Sequence, residues 1–197
     1  MPKIFTEEER LALRTAMFEK GFELLKKEGI THMSVEKITA ACNLGKSTFY
    51  NFFDSKEDFV TQLIEYRRSK AMQTVRDRLG SRTKMSLSEG KQLLRQMACS
   101  SDSIYRYLKP EDIGKLQKNA SYLHAPDLEE ESALLAELFS YIEGIRENPD
   151  YAMIANTMKM IALVTEEKEM FHPEVYGRSV DSLYQILFEL ISAEDEQ

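Results

Sequence analysis

Residues 34–57 constrain the fold more than any other stretch of the chain. Helix start signals recur there so closely that only short helices fit between them. Ser34 is a side-chain cap ahead of Val35, Ile38 and Ala41 or Cys42, which recur on one helical face. Cys42-Asn43-Leu44-Gly45 breaks that pattern over the length of a tight turn, and Asn43 is one of the few non-glycine residues that tolerates the left-handed region. A second short helix is expected over about 46–52. Asp54-Ser55 then restarts the chain, with Ser55 capping a long helix over 55–79 that carries Val60, Ile64, Ala71 and Val75 on one side and Phe59, Leu63 and Tyr66 on another. Upstream, Thr6-Glu7-Glu8-Glu9 has capping-box spacing. It predicts a helix over about 7–27, with Leu13, Met17, Gly21 and Leu24 in register and Gly29 ending it. Two short helices joined by a tight turn and packed on a longer one describe a helix-turn-helix.

The rest of the chain also reads as helix. Only 8 glycines and 5 prolines punctuate 197 residues, too few for the tight turns of an all-β sandwich. No stretch alternates at period 2 for long enough to predict a strand. Pro110, Pro126, Pro149 and Pro173 each fall near the start of a new helical pattern. Helices are expected near 88–100, 102–108, 111–123, 127–147, 150–170 and 174–193. The predicted fold is all-α: an N-terminal three-helix domain over 1–54, with its helix-turn-helix at 34–53, and a larger helical domain over 55–197. No apolar run approaches the ~18 residues of a membrane span. The acidic, core-less N-terminus is not that of a signal peptide. Cys42 and Cys99 give no disulfide framework, so a reduced cytoplasmic setting is expected, with Cys42 as a small hydrophobe.

Charge is divided unevenly. Residues 1–70 carry 12 Lys/Arg and 11 Asp/Glu, whereas 71–197 carry 14 and 22, for a chain net of −7. Bulk charge therefore disfavours polyanions, and only a local site in the first third could bind nucleic acid. Its geometry suits that role. Val35, Ile38 and Ala41 supply an apolar face for the first short helix. Asn43 and Leu44 make the turn. Lys46, Ser47 and Thr48 put polar groups at the exposed start of the second, where Ser47 can read a base edge. Ser34, Thr48 and Lys56 lie in or beside helix first turns, where free N–H groups favour phosphate.

The string from Ser34 to Glu57 resembles the TetR family of bacterial transcriptional regulators. Thr48-Phe49-Tyr50, then Phe53, then Ser55-Lys56-Glu57 matches the family's pattern in order and spacing, and the resemblance covers about residues 6–60. It implies that Ser34 and Lys56 meet phosphates and that Thr48, Tyr50 and Asn51 contact backbone or bases. Asn43 replaces the usual turn glycine, Gly45 the usual serine, and Ser47 a usual glycine.

The second domain carries two broad apolar surfaces. Val180, Leu183, Tyr184, Ile186, Leu187, Phe188, Leu190 and Ile191 form an arc wider than one core-facing stripe needs. Around 150–170, Tyr151, Ile154, Met158 and Ile161 lie on one side, with Met153, Met160, Leu163 and Val164 on others. Two buried faces follow, the second against a partner chain, and two helices from each chain would make a four-helix interface. A homodimer is also what the resemblance implies, as is a small-molecule pocket inside this domain whose occupation weakens operator binding through the 55–79 helix. Met97, Tyr105, Tyr122, His124, Tyr141, Asn156 and Met160 combine flexible apolar surface with polar tips and are its candidate lining, suited to an apolar or aromatic compound.

Nothing marks a catalytic centre. His32, His124 and His172 are far apart and none has a histidine at i+4; there is no Gly-rich phosphate loop, nucleophile elbow or Cys-x-x-Cys. No catalytic residue, metal or cofactor is expected. The reading is a homodimeric repressor that binds a palindromic double-stranded operator and is released by a small molecule. Two alternatives stand beside it: a ligand-independent or protein-controlled DNA binder, and an enzyme or interaction protein with a vestigial helix-turn-helix.

Overall fold

The computed structural model describes residues 5–100, 102, 104–107 and 128–193. Thr6 starts the first helix with a full capping box: its hydroxyl accepts the Glu9 N–H at 3.2 Å, and Glu9 accepts the Thr6 N–H at 2.9 Å. This helix, α1, spans Glu7–His32, but Gly29 inside it is non-helical at φ 71, ψ 170. The main run thus breaks at the glycine the sequence marked, and one further turn follows. The helices α2 (Val35–Ala41) and α3 (Lys46–Phe49) come next, then α4 (Lys56–Leu79). Ser55 caps α4 by accepting the Asp58 N–H at 3.0 Å, and Asp58 accepts the Asp54 N–H at 3.0 Å in return.

Further on lie α5 (Leu87–Cys99), a 3₁₀ turn at Ile104–Tyr107, α6 (Leu128–Ser140), α7 (Tyr151–Glu166), a 3₁₀ turn at Lys168–Met170 and α8 (Pro173–Ile191). Pro173 occupies the first turn of α8, where its missing N–H costs nothing. The helix expected over 111–123 lies outside the described residues. The helix expected over 127–147 stops at Ser140. Main-chain groups beyond it pair elsewhere: Met85 N–H donates to Tyr141 O at 2.8 Å and Glu143 N–H to Met85 O at 2.9 Å, and Gly144 turns at φ 72. Two isolated bridges, Met85 with Ile142 and Ile145 with Ser192, are the β pairing among the described residues.

The chain divides into two compact units. The first runs through Arg68 and includes Tyr107; the second takes Ser69–Arg106 and the described residues from Leu128 on. The division falls inside α4, past the 54/55 boundary read from the sequence, because Phe59, Val60, Leu63 and Ile64 are buried in the first unit. That unit's core is aromatic. Phe53 lies 4.9 Å from Phe59, 5.1 Å from Phe49 and 5.5 Å from Phe18, ring centre to ring centre. The second unit buries Val75, Leu93, Leu94, Ile142, Ile154, Ile161, Tyr184, Leu187 and Ile191 together.

Candidate nucleic-acid interface

Three elements of the first unit build the site. Ser34 caps α2 in extended conformation (φ −130, ψ 159), its Oγ accepting the Lys37 N–H at 3.3 Å. Val35, Ile38 and Thr39 bury the inner face of α2. Ala41, expected on that face, is exposed. Cys42, the alternative on that face, is half-buried, and Thr39 is buried with its hydroxyl donating to Val35 O at 2.9 Å, so no polar group is stranded. Asn43 takes φ 54 as expected. Main-chain bonds close the turn, from Asn43 N–H to Ala40 O at 3.1 Å and from Leu44 N–H to Thr39 O at 2.8 Å.

Helix α3 is shorter than the expected 46–52. It tightens after Phe49: Phe52 N–H donates to Phe49 O at 2.9 Å, and Phe53 N–H to the same oxygen at 3.1 Å. The tightening carries Phe53 into the aromatic core. Phe49 is the buried residue of α3. Lys46, Ser47, Tyr50 and Asn51 are exposed and Thr48 is half-buried, so five polar side chains share one outward surface. Such a surface offers ammonium, hydroxyl and amide groups for phosphates and base edges.

Two of the sequence-nominated cations have intramolecular partners. Lys46 Nζ lies 2.6 Å from Glu36 Oε1. The hydrogen bond from Lys46 foremost, then Glu36's own backbone amide, the lysine's charge and the Ser34 hydroxyl, hold the Glu36 carboxyl down to about 2, against an ordinary 4.5. The same carboxylate pushes the Lys46 ammonium up. Lys56 Nζ donates to Ile30 O at 3.2 Å and Met33 O at 3.3 Å, satisfying carbonyls at the end of α1. Lys56→Ala is therefore expected to cost about 1–3 kcal/mol of stability without any DNA. Urea unfolding of the free protein checks this, and an unchanged midpoint would mean the two bonds contribute nothing.

Sequence reasoning missed Arg10. Its guanidinium covers the Phe52 ring at 4.8 Å and donates to Asn51 O at 3.4 Å, which sets a further cation against the turn that follows α3. The pairing joins residues 41 apart in the chain, beyond the reach of helical periodicity.

The nominated ligand lining is spread out. Met97 and Tyr141 are half-buried against the core of the second unit. Tyr105 belongs to the 3₁₀ turn at Ile104–Tyr107, and Tyr122 and His124 lie outside the described residues. Asn156 and Met160 do not face inward. Helix α7 packs through Ile154, Ala155, Thr157 and Ile161. At roughly 100° per residue Asn156 and Met160 point away from that stripe. They share the outer face with Met153 and Leu163, and Met153, Met160 and Leu163 are 50%, 45% and 61% exposed. The polar residue α7 does bury is Thr157, at 1%, its hydroxyl donating to Met153 O at 2.8 Å. A shallow depression of about 430 Å³ in this unit is lined instead by Lys91, Arg95, Asp181, Gln185, Phe188 and Glu189, among others.

An all-helical chain whose first unit holds a polar, outward-facing α3 on a rigid α2 and turn is a helix-turn-helix protein. Comparison with known proteins narrows this. Residues 18–63 match the family of bacterial regulatory proteins described as the tetR family. The HTH-type transcriptional repressor DhaR of Mycobacterium sp. (strain GP1) is 35% identical over 66 residues, 34% of this chain and 33% of that protein. The match thus spans about a third of that relative's length. Among solved structures, a TetR family transcription regulator from Marinobacter aquaeolei VT8 aligns at TM-score 0.55 and 14% identity, covering 96% of this chain and 100% of the other. The fatty acid degradation regulator FadR from Bacillus halodurans aligns at 0.56 and 16%, covering 94% and 97%. The helix-turn-helix lies within the segment that matches the tetR family, and the chain has the all-α fold of TetR-family structures. Among the described residues, no helix is long and apolar enough to cross a membrane.

Proposed function

We propose that the chain is a sequence-specific transcriptional regulator: a homodimeric repressor, working in the cytoplasm, that binds a palindromic operator and is released by a small molecule. The observation that carries the reading is the composition of α3 and the turn after it, in which Phe49 anchors the helix while Lys46 and Ser47 of α3 and Tyr50 and Asn51 beyond it stand in solvent. In the complex Ser34, Thr48 and Lys56 serve phosphates, and Lys46, Ser47, Tyr50 and Asn51 serve bases or backbone. Lys56→Ala then weakens binding to all sequences about equally and lowers the salt slope by ~1.

The outer faces of α7 and α8 support the dimer. Met153, Met160, Leu163 and Ile186 are exposed there, more apolar surface than a lone protomer needs. The effector must prefer the DNA-incompetent state, and a preference of about 1–3 kcal/mol changes operator affinity about 5- to 150-fold. Of the residues the sequence suggests for its lining, Met97 and Tyr141 are half-buried against the core of the second unit, which supports a place for it there.

Selection of duplexes from a random DNA pool by the purified protein, at near-physiological salt, tests the reading. The expected product is an inverted repeat with half-sites about one helical turn, or a multiple, apart. Recovery of no preferred sequence by a folded protein would overturn it.

A further inference from the structure

Affinity for phosphate is cheap for a head of this kind and selectivity is not. A lysine on the surface that meets DNA attracts any duplex, because phosphates repeat along every sequence and carry no base information. Lys46 stands at such a place, first in α3 and exposed beside Ser47 and Tyr50. It is not unpartnered, since Glu36 of α2 holds its ammonium at 2.6 Å.

The pair bridges the two helices of the motif from anchored ends. Val35, Ile38 and Thr39 fix α2, Phe49 fixes α3, and the Leu44 N–H to Thr39 O bond at 2.8 Å fixes the turn between them. Glu36 and Lys46 therefore meet because the backbone sets them opposite one another. Both side chains are more than half exposed, so the pair can open when a better partner arrives for each. The other lysines nearby have different partners. Lys37 donates to His32 O at 2.9 Å and pairs with Glu28, and Lys56 holds the Ile30 and Met33 carbonyls.

Opening has unequal consequences on different duplexes. On DNA of arbitrary sequence, Lys46 can move to a phosphate only by leaving a bare carboxylate facing a polyanion. On a matched sequence, a base-edge donor such as the cytosine amino group can take that carboxylate as Lys46 leaves. We propose that Glu36 is a specificity-determining residue of this head: its ion pair with Lys46 holds down affinity for duplexes of arbitrary sequence and so widens the gap to the operator. The proposal rests on the DNA-binding reading above.

The test is a double-mutant cycle of Glu36→Gln and Lys46→Ala in the full chain. Binding is followed by fluorescence anisotropy over a salt series, with the pool-selected duplex and a scrambled duplex of the same composition. Glu36→Gln is isosteric at an exposed position and leaves the fold intact. It is expected to tighten binding to the scrambled duplex roughly five- to tenfold near 0.1 M salt and to steepen the salt slope by about 0.9, the signature of one added phosphate contact. The ratio of selected to scrambled affinity falls accordingly. In the Lys46→Ala background the gain disappears. If Glu36→Gln leaves scrambled-duplex affinity unchanged while the wild type binds its selected duplex, the assignment of Glu36 alone falls. A gain that survives Lys46→Ala also overturns it, since that would be a general charge effect. If the wild type retains no duplex, the DNA-binding reading falls and takes this proposal with it.

Discussion

Phe59→Ala is expected to remove about 3–5 kcal/mol from the stability of the first unit. The ring is fully buried, with centres 4.9 Å from Phe53, 5.6 Å from Phe49 and 5.7 Å from Phe18. It also lies against Gly21 of α1, where a built Cβ would come within 2.4 Å of the Phe59 Cζ. Close approach on that side makes the loss hard to repair, because Gly21 has no side chain to move into the space. The neighbouring rings Phe18, Phe49 and Phe53 pack on one another, so the site collapses poorly and the cavity term stays large. A domain has only about 5–15 kcal/mol in total, so most of the unit's stability is at risk. Far-UV melting of the full chain should show a new low-temperature transition, and binding to the selected duplex should fail at temperatures above it. A single transition at the wild-type midpoint would contradict the packing of this ring.

The parts of the fold that were legible in the sequence are those set by residues close together in the chain. Thr6 with Glu9, Ser34, Asn43, Ser55 and Pro173 each specify a local backbone event, and each does so in the structure. Events decided at long range were not legible. The helix expected over 127–147 ends at Ser140 because Met85, far off in sequence, takes the main-chain bonds beyond it. Lys56 reads as a phosphate ligand from its neighbours, yet its carbonyl partners lie 26 and 23 residues away. Asn156 is a candidate for the pocket lining by residue type alone, and periodicity places it once the inner stripe is known. With Ile154 and Ile161 both inward, Asn156 falls on the opposite side and Thr157 is the buried polar residue. The exposed surface of α3 was legible because an aromatic anchor flanked by small polar residues fixes which face turns inward.

Leu163→Glu combined with Ile186→Glu should convert the proposed dimer into a folded monomer. Both side chains are exposed in the protomer, at 61% and 47%, so a carboxylate at either position stays in water while the chain is alone. The core beneath, Ile154, Ile161, Tyr184 and Leu187, is untouched. Association changes the arithmetic. A two-fold interface presents the same patch from both chains, so two substitutions place four carboxylates in one dry contact. The chain already carries a net charge of −7, which adds to the repulsion. Loss of a buried apolar anchor costs about 2 kcal/mol or more of association, roughly 30-fold, and buried unpaired charge adds to that. Operator binding then falls at least about 100-fold, because a monomer presents a single α3 to a site built from two half-sites. Sedimentation equilibrium reads the mass, and anisotropy with full and half-site duplexes reads the binding. A variant that remains dimeric would move the interface to another face. One that becomes monomeric yet binds the full operator with wild-type affinity would show that the two reading helices do not act as a pair.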